Sequence, residues 1–268
     1  MESGRPPPPR TVLITGASRG LGAALARLYA SDGLLLGLAA RSDSERLAAV
    51  AGDCASKGAE VVTACFDVTD AAATRAWVGS VEERRAVDLV IANAGRFSGN
   101  GPVGRFEPLG SALDQISVNL TGAITTIDAV LPGMRTRKSG QIALISSLAA
   151  LQPLADAPAY SATKAGLGAY GEALRELLAP EGISVSLVYP GNIATAQTAH
   201  HVGELPLMMS PDRAARIIKS GLDRRRTEIA FPRRLLWLIR AGKLLPWRIR
   251  ALAGRSLRFH VDDKHRHG

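Results

Sequence analysis

The chain has 268 residues, of which 46% are apolar and 21% are charged, as expected for one large domain with a complete core. No apolar run is long enough to cross a bilayer, and the Pro-rich N-terminus lacks the apolar segment of a signal peptide. Cys54 and Cys65 match no metal spacing. We therefore expect a cytoplasmic protein without a metal site.

The net charge of +9 is concentrated near the C-terminus, because residues 211–268 hold 16 Lys+Arg and only 5 Asp+Glu. Any argument about anionic partners therefore concerns that region. We predict a flexible N-terminus over 1–9, one folded domain over 10–232 and a basic amphipathic extension over 233–268.

Short apolar strands alternate with amphipathic helices along the chain. This alternation predicts an α/β fold with a doubly wound parallel sheet, in which ligands bind at the carboxyl ends of the strands. Predicted strands cover 10–15, 34–40, 60–66, 87–92, 141–145, 183–188 and 227–231. One predicted helix follows the glycine-rich loop after the first strand. The other predicted helices cover 42–56, 71–84, 109–135 with a break near Gly122, 158–179 and 210–222.

A glycine-rich loop, Thr15-Gly16-Ala17-Ser18-Arg19-Gly20-Leu21-Gly22, joins the first strand to the first helix. Glycines there allow a tight turn and let backbone N–H groups approach an anion such as a phosphate. Arg41 ends the second strand, where an acid would bind the ribose hydroxyls of NAD. Arg41 and Arg19 therefore favour NADP, with NAD as the alternative cofactor; the competing interpretation is two solvated arginines.

Tyr160 and Lys164 lie four residues apart in a predicted helix and so share one face. A nearby cation lowers the pKa of a phenol, which suits a general acid or base. A shift of about three units takes on the order of 4 kcal/mol, so a cofactor charge or a low-dielectric cleft must contribute. The spacing alone is common on surface helices.

Further polar or glycine positions fall just after predicted strands: Asp67, Asn93-Ala94-Gly95, Ser147 and Pro190-Gly191. Asp67 suits either an adenine contact or a cap or turn. Asn119 interrupts a predicted helix, so it is expected to bond backbone or a buried water.

Together, the glycine loop, Asn93-Ala94-Gly95, Asn119, Ser147 thirteen residues before Tyr160, Tyr160-x-x-x-Lys164 and Pro190-Gly191 resemble the short-chain dehydrogenases/reductases over residues 10–195. The resemblance implies a single-domain Rossmann-like fold of about seven strands, a homodimer or homotetramer, and nicotinamide-dependent interconversion of a carbonyl and a secondary alcohol.

The resemblance also implies residue roles. Tyr160 is the implied proton donor or acceptor, Lys164 lowers its pKa and binds the nicotinamide ribose, Ser147 holds the substrate oxygen, and Asn119 fixes a relay water. Ser146 is expected to point to the other side of the strand. The implied cofactor contacts are Gly16, Ser18, Arg19, Gly20, Leu21, Gly22, Arg41, Asp67, Val68, Asn93, Ala94, Gly95, Tyr160, Lys164, Pro190, Gly191, Ile193 and Thr195.

Substrate specificity is expected in the loops 96–105 and 193–210. The second contains Leu205, Leu207, Met208 and Met209, which suit either an adaptable apolar lid or ordinary packing of a loop end. His200 and His201 lack a third metal ligand. Residues 233–258 interleave arginines with Leu and Trp, which suits either a membrane surface or packing on the protein, and Pro246 is expected to split them into two helices. No nucleic-acid reader motif occurs.

The sequence thus favours an NADP-dependent oxidoreductase with a small carbonyl or alcohol substrate, apolar or lipid-like. Two alternatives remain: a non-catalytic dinucleotide sensor and a membrane-recruited scaffold on the same fold.

Overall fold

The fold is organised around a seven-stranded, all-parallel sheet. A computed structural model describes residues 7–101, 105–195, 201–202, 207–246 and 260–261. The sheet strands are β1 (Thr11–Thr15), β2 (Leu35–Ala40), β3 (Glu60–Cys65), β4 (Leu89–Ala92), β5 (Gly140–Ile145), β6 (Ile183–Pro190) and β8 (Glu228–Phe231). The seven predicted strands are therefore confirmed to within two residues at each end.

The strand order is β3-β2-β1-β4-β5-β6-β8. Successive strands are added in one direction from β1 to β3 and in the opposite direction from β4 onward, so the order reverses between β1 and β4. In open α/β sheets the crevice at that reversal is where ligands bind. The doubly wound architecture predicted from the sequence is confirmed, and it places the glycine loop after β1 beside the Asn-Ala-Gly turn after β4.

Nine α-helices are found in the described residues, and they cover both faces of the sheet. They are α1 (Gly20–Tyr29), α2 (Ser44–Ala55), α3 (Ala71–Glu82), α4 (Leu109–Ile116), α5 (Gly122–Arg137), α6 (Leu148–Leu151), α7 (Pro158–Leu178), α8 (Pro211–Leu222) and α9 (Arg233–Gly242). Side chains cap several N-termini: Asp43 caps α2, Asp70 caps α3 and Ser210 caps α8.

Alternate side chains of the strands enter two separate cores. Val12 and Ile14 of β1 belong to the core under α1, α2 and α8, whereas Leu13 belongs to the core under α3, α5 and α7. Strands buried on both faces explain why their sequences are continuously apolar rather than alternating.

The long helix predicted over 109–135 is broken, as expected, close to Gly122. A five-residue π-helical turn, Ser117–Thr121, separates α4 from α5. A Cβ on Gly122 would lie 2.5 Å from Val68 Cγ2, so the glycine lets this helix approach the turn after β3. The π turn carries Asn119 into the interior, where it is buried.

The C-terminal part continues with α9, which packs on β8 and α6. This helix ends at Gly242, four residues before the proline expected to divide it, and the second predicted helix lies outside the described residues. Two further short strands, β7 (His201–Val202) and β9 (His260–Val261), pair antiparallel. Among the described residues, no helix is both long and apolar enough to cross a membrane.

Candidate active site

The loop between β1 and α1 forms a cradle of backbone groups. Gly16 and Gly20 adopt φ values of +67° and +58°, a region that L side chains rarely enter. A Cβ on Gly22 would lie 2.2 Å from Gly16 O, so helix and loop are in contact there. Arg19, the N-cap of α1, makes no side-chain capping bond, so the backbone N–H groups at the start of α1 can receive an anionic group such as the pyrophosphate of a dinucleotide.

Asn93, directly after β4, holds this cradle in place. Its Nδ2 donates to Thr15 O and Gly16 O at 3.0 and 3.2 Å, while its backbone N–H donates to Thr15 Oγ1 at 3.1 Å. Ala94 N donates to the same hydroxyl. The side chain of Asn93 therefore fixes the loop, and Thr15 is a positioning residue that the sequence did not reveal.

Both arginines that favour NADP are exposed. Arg41 directly follows β2, and Arg19 lies in the glycine loop. The side chain of Asp67 makes a turn, accepting from Thr69 N at 2.9 Å and Thr69 Oγ1 at 2.7 Å. Burial alone would raise the pKa of Asp67, but those bonds and the charges of Arg41 and Arg96 hold it below its usual value. Of the two interpretations of Asp67, the turn is the one its contacts support.

The phenol of Tyr160 lies at the start of α7, and the hydroxyl of Ser147, at the end of β5, is near enough to influence the pKa of that phenol. Ser147 Oγ also accepts from Ala149 N at 3.1 Å, so it caps the short helix α6. Phe97 packs edge-on against the phenol ring with centroids 4.9 Å apart. Burial raises the pKa of Tyr160, and the neighbouring Ser147 hydroxyl offsets part of that rise.

Lys164, one turn along α7, is only 5% exposed. Its Nζ donates to Ile145 O at 2.8 Å and lies 5.7 Å from the centroid of the Tyr160 ring. Burial lowers the pKa of Lys164 to about 8. The net shift of the phenol pKa is upward rather than downward, because burial disfavours the charged form of both groups.

The neighbouring serine, Ser146, is buried and donates to Lys164 O at 2.8 Å. Its hydroxyl is thus engaged by the backbone of α7 rather than by the phenol, as the alternation of side chains along a strand predicts.

Asn119 ties the loop after β4 to α7. Its Oδ1 accepts from Arg96 N at 2.7 Å, and its Nδ2 donates to Arg96 O and to Thr163 Oγ1. The amide thus bonds backbone, one of the two expectations for this residue. A Cβ on Gly95 would lie 3.3 Å from Asn119 Oδ1 and 3.7 Å from Lys164 Nζ, so this turn passes directly over both side chains.

The segment after β6 closes the cradle from the other side. Gly191 N donates to Phe231 O at 2.7 Å, which fixes the chain after Pro190. Ile193 is buried and bridges to Met209. Thr195 Cγ2 lies 3.2 Å from where a Cβ of Gly20 would be, so Thr195 faces the glycine loop.

The remaining predicted contacts line the same edge of the sheet. Ser18 is partly buried in the loop, Leu21 is buried at the start of α1, and Val68 is buried against α5. Sequence reasoning missed Phe97 and Thr163; Phe97 stands in a segment predicted to set specificity, but no spacing singles it out. His200 and the side chain of His201 lie outside the described residues.

In the part of the chain that the structure describes, no group of three or more His, Cys, Asp or Glu side chains suits a metal ion.

The arrangement has the parts that carbonyl chemistry needs. The hydroxyls of Tyr160 and Ser147 lie at the same edge of the sheet as a backbone cradle for a dinucleotide, and the buried Lys164 lies one turn from Tyr160. Such donors can stabilise charge on a carbonyl oxygen as a hydride reaches its carbon.

A sequence profile of the short chain dehydrogenase family matches residues 10–204. An uncharacterized oxidoreductase of Myxococcus xanthus is 37% identical over 250 residues, which is 93% of this chain and 98% of that protein. The ketoacyl reductase HetN of Nostoc is 31% identical over 225 residues, covering 82% of this chain and 77% of that one.

Two solved structures have a similar fold. The alcohol dehydrogenase of Thermococcus sibiricus, complexed with 5-hydroxy-NADP, is 27% identical with a TM-score of 0.73, and the match covers 83% of this chain and 95% of that one. A protein of Burkholderia phymatum in complex with NAD has a TM-score of 0.78 at 22% identity, covering 86% and 92% of the two chains. At that identity the second match supports the fold alone.

Proposed function

This chain belongs to the short-chain dehydrogenases and is an NAD(P)-dependent oxidoreductase acting on CH–OH groups; within that class, we propose that it is an NADP-dependent enzyme that uses Tyr160 to reduce apolar, lipid-like ketones. The observation that carries the proposal is the placement of Tyr160 one turn before the buried Lys164 on α7, at the same edge of the sheet as Ser147 and the glycine cradle. The dinucleotide, when bound, supplies the hydride.

The two hydroxyl groups act on the substrate oxygen. Both Tyr160 and Ser147 donate hydrogen bonds to a carbonyl oxygen placed between them, which polarises the carbonyl and stabilises the charge that develops on it. Tyr160 then transfers its proton to that oxygen. Because burial raises the pKa of this phenol, it is protonated at neutral pH and is ready to act as the donor in the reductive direction.

Lys164 supports the proton transfer from behind. Its bond to Ile145 O holds the ammonium near the phenol ring, where its charge stabilises the phenolate left after the proton has moved. Phe97 packs edge-on against the phenol ring and covers part of it.

The preference for NADP rests on charge. Arg19 and Arg41 are both exposed at the edge where the adenosine half of a dinucleotide would lie, and the end of β2 has no acid. A 2′-phosphate would receive charge-assisted hydrogen bonds there, whereas the end of β2 offers no carboxylate to the ribose hydroxyls of NAD.

The preference for an apolar substrate rests on the surroundings of the phenol. Phe97 contacts it directly, and Leu207 and Met208 are exposed in the segment that Met209 ties to Asn192 and Ala194. The relative named a ketoacyl reductase is consistent with a ketone on an acyl chain.

We expect a homodimer or homotetramer. Helices α4 and α5 and the segment before them expose large apolar side chains, and association would bury them. They are Phe106, Leu109, Leu113, Ile116 and Ile124.

The test is an NADPH-oxidation screen over ketones of graded chain length. We expect turnover to increase with chain length, and Tyr160→Phe to lower kcat by roughly 10²–10⁴-fold while NADPH binding is unchanged. Tyr170→Phe, a tyrosine farther along α7, is the matched control and should retain full activity. Loss of less than tenfold in Tyr160→Phe would refute the assigned role, and cofactor binding without turnover of any ketone would favour the sensor alternative.

A further inference from the structure

Helix α9 has two apolar faces, only one of which is covered by the described residues. Leu236 and Ile239 are buried in the core, whereas Trp237 and Leu238 on the other side are 64% and 69% exposed. Ala241 continues this outer face, and Leu244, in the turn that follows, is 88% exposed. Exposed apolar side chains grouped in this way mark an interaction site.

The surroundings of this outer face are strongly basic. Arg233, Arg234 and Lys243 are exposed beside it, and Arg240 pairs with Glu228 at 2.7 Å. Residues 229–246, which include α9 and the turn after it, contain four Lys+Arg and no Asp or Glu. Apolar side chains with a Trp, surrounded by cations, are typical of a helix that lies in the headgroup region of an anionic membrane.

The basic surroundings also argue against a second copy of this chain as the occupant. In a two-fold symmetric dimer each patch meets itself, so the same three cations from each protomer would be brought together. Like charges at such a contact are unfavourable. The exposed apolar side chains of α4 and α5 have no comparable set of cations among them and suit self-association better.

The buried side of α9 packs against elements of the catalytic edge. Leu236 and Ile239 share a core with Leu148, the first residue of α6, which directly follows Ser147. A Cβ on Gly191 would meet both Pro232 and Leu148, so the start of α9, the end of β6 and α6 come together at this edge. A surface bound by α9 would therefore lie next to the catalytic site.

We propose that the outer face of α9, formed by Trp237, Leu238 and Leu244 with the flanking arginines, docks on the surface of an anionic phospholipid bilayer. Docking brings the catalytic edge to the membrane, so the ketone is taken from the bilayer. The substrate part of this inference rests on the proposed function, whereas the docking does not.

The experiment measures binding of the full chain to vesicles by flotation. Vesicles of phosphatidylcholine alone are compared with vesicles containing phosphatidylglycerol in equal amount, at low and high salt. We expect binding only to the anionic vesicles and its loss at high salt. Arg234→Glu and Leu238→Ser should each lower the affinity by about tenfold or more.

Two matched substitutions control for general effects of charge and of apolar surface. Arg216→Glu reverses an exposed arginine on α8, and Leu177→Ser changes a leucine on α7 that is 62% exposed. Both controls should bind vesicles like the unmodified chain. All four variants should oxidise NADPH at the unmodified rate with a water-soluble ketone, which also shows that they are folded.

Absence of binding to anionic vesicles, or an equal loss in the controls, would overturn the proposal. If the protein does not bind vesicles and its molecular mass in solution is lower in Leu238→Ser than in the unmodified chain, the face would be assigned to a second copy instead. If the protein binds duplex DNA and only Arg234→Glu and Leu238→Ser abolish that binding, the face would be assigned to nucleic acid. Vesicle binding without ketone reduction would leave the docking intact and refute the proposed function.

Discussion

At the level of single side chains, Tyr160 and Lys164 are both shifted toward their neutral forms. The pKa of Tyr160 is raised and that of Lys164 is lowered to about 8, in each case chiefly by burial. The protein therefore keeps a protonated phenol next to a lysine that is costly to charge. Groups shifted in this way are typical of functional sites. Here, burying the charged lysine lowers the stability of the folded protein.

The cost of burying Lys164 predicts a pH-dependent stability. Below pH 8 the lysine is charged in both states, so the folded protein bears the full penalty; from about pH 8 to 10.5 the unfolded chain binds more protons, and stability rises with pH. The unfolding free energy of Lys164→Met minus that of the unmodified protein should therefore fall by about 2–3 kcal/mol between pH 7 and pH 10.

Urea denaturation at the two pH values measures this difference. Lys243→Met, at an exposed lysine, is the control, and its difference should stay constant within about 0.5 kcal/mol. A difference for Lys164→Met that does not change with pH would mean that the buried lysine is not destabilising when charged.

Arg41 should decide between the two cofactors. In Arg41→Ala the affinity for NADPH is expected to fall roughly 10-fold or more, because charge-assisted hydrogen bonds to the 2′-phosphate are lost, whereas NADH affinity stays within about twofold. Arg46→Ala, an exposed arginine of α2, serves as the control. Fluorescence titration with both cofactors gives the affinities, and an unchanged NADPH preference would contradict the assignment.

At the level of elements, the β1–α1 unit depends on close backbone contact. Gly22 stands where α1 meets the carbonyl of Gly16, and the amide of Asn93 reaches the same carbonyl from β4. Three segments therefore converge on one oxygen. A Cβ at position 22 would have to displace the backbone of the glycine loop, not the flexible end of a side chain.

Alanine substitutions at two helical glycines separate this packing role from helix propensity. Gly22→Ala should lower the unfolding free energy by about 2 kcal/mol or more and abolish NADPH binding, because its Cβ would lie 2.2 Å from Gly16 O. Gly79→Ala in α3, where nothing lies within 4 Å, should instead stabilise by about 0.5–1 kcal/mol. Denaturation and cofactor titration check both, and a stable Gly22→Ala that binds NADPH would show that the loop can shift.

At the level of the whole molecule, the candidate cofactor site is built from both halves of the sheet. Its residues follow β1, β4, β5 and β6, and the two cores that hold these strands share the sheet between them. A ligand bound there should stabilise the entire fold rather than one half.

We therefore expect a single thermal transition that moves upward with NADPH. At a concentration of about 100 times Kd the added stability is about 2.7 kcal/mol, which corresponds to roughly 5–10 °C for a chain of this size. Differential scanning calorimetry with NADPH and NADH measures the shift. Two separate transitions, only one of which responds to NADPH, would show that the halves unfold independently.

The sequence by itself determined the strands, their parallel pairing and the placement of the glycine loop, Asn93 and Ser147 at strand ends. These features follow from apolar runs and turn residues, which are local properties of the chain. The shared face of Tyr160 and Lys164 was equally local, since it needs only the period of a helix.

Only the tertiary structure decided the protonation of that pair, because desolvation comes from segments distant in sequence. The same holds for Asn119, whose amide bonds Arg96 and Thr163, and for Phe97 against the phenol. The tail is the last case: its pattern allowed either packing or a membrane surface, and α9 packs one apolar face while leaving Trp237 exposed on the other. Which side of a helix is covered depends on what lies next to it in space.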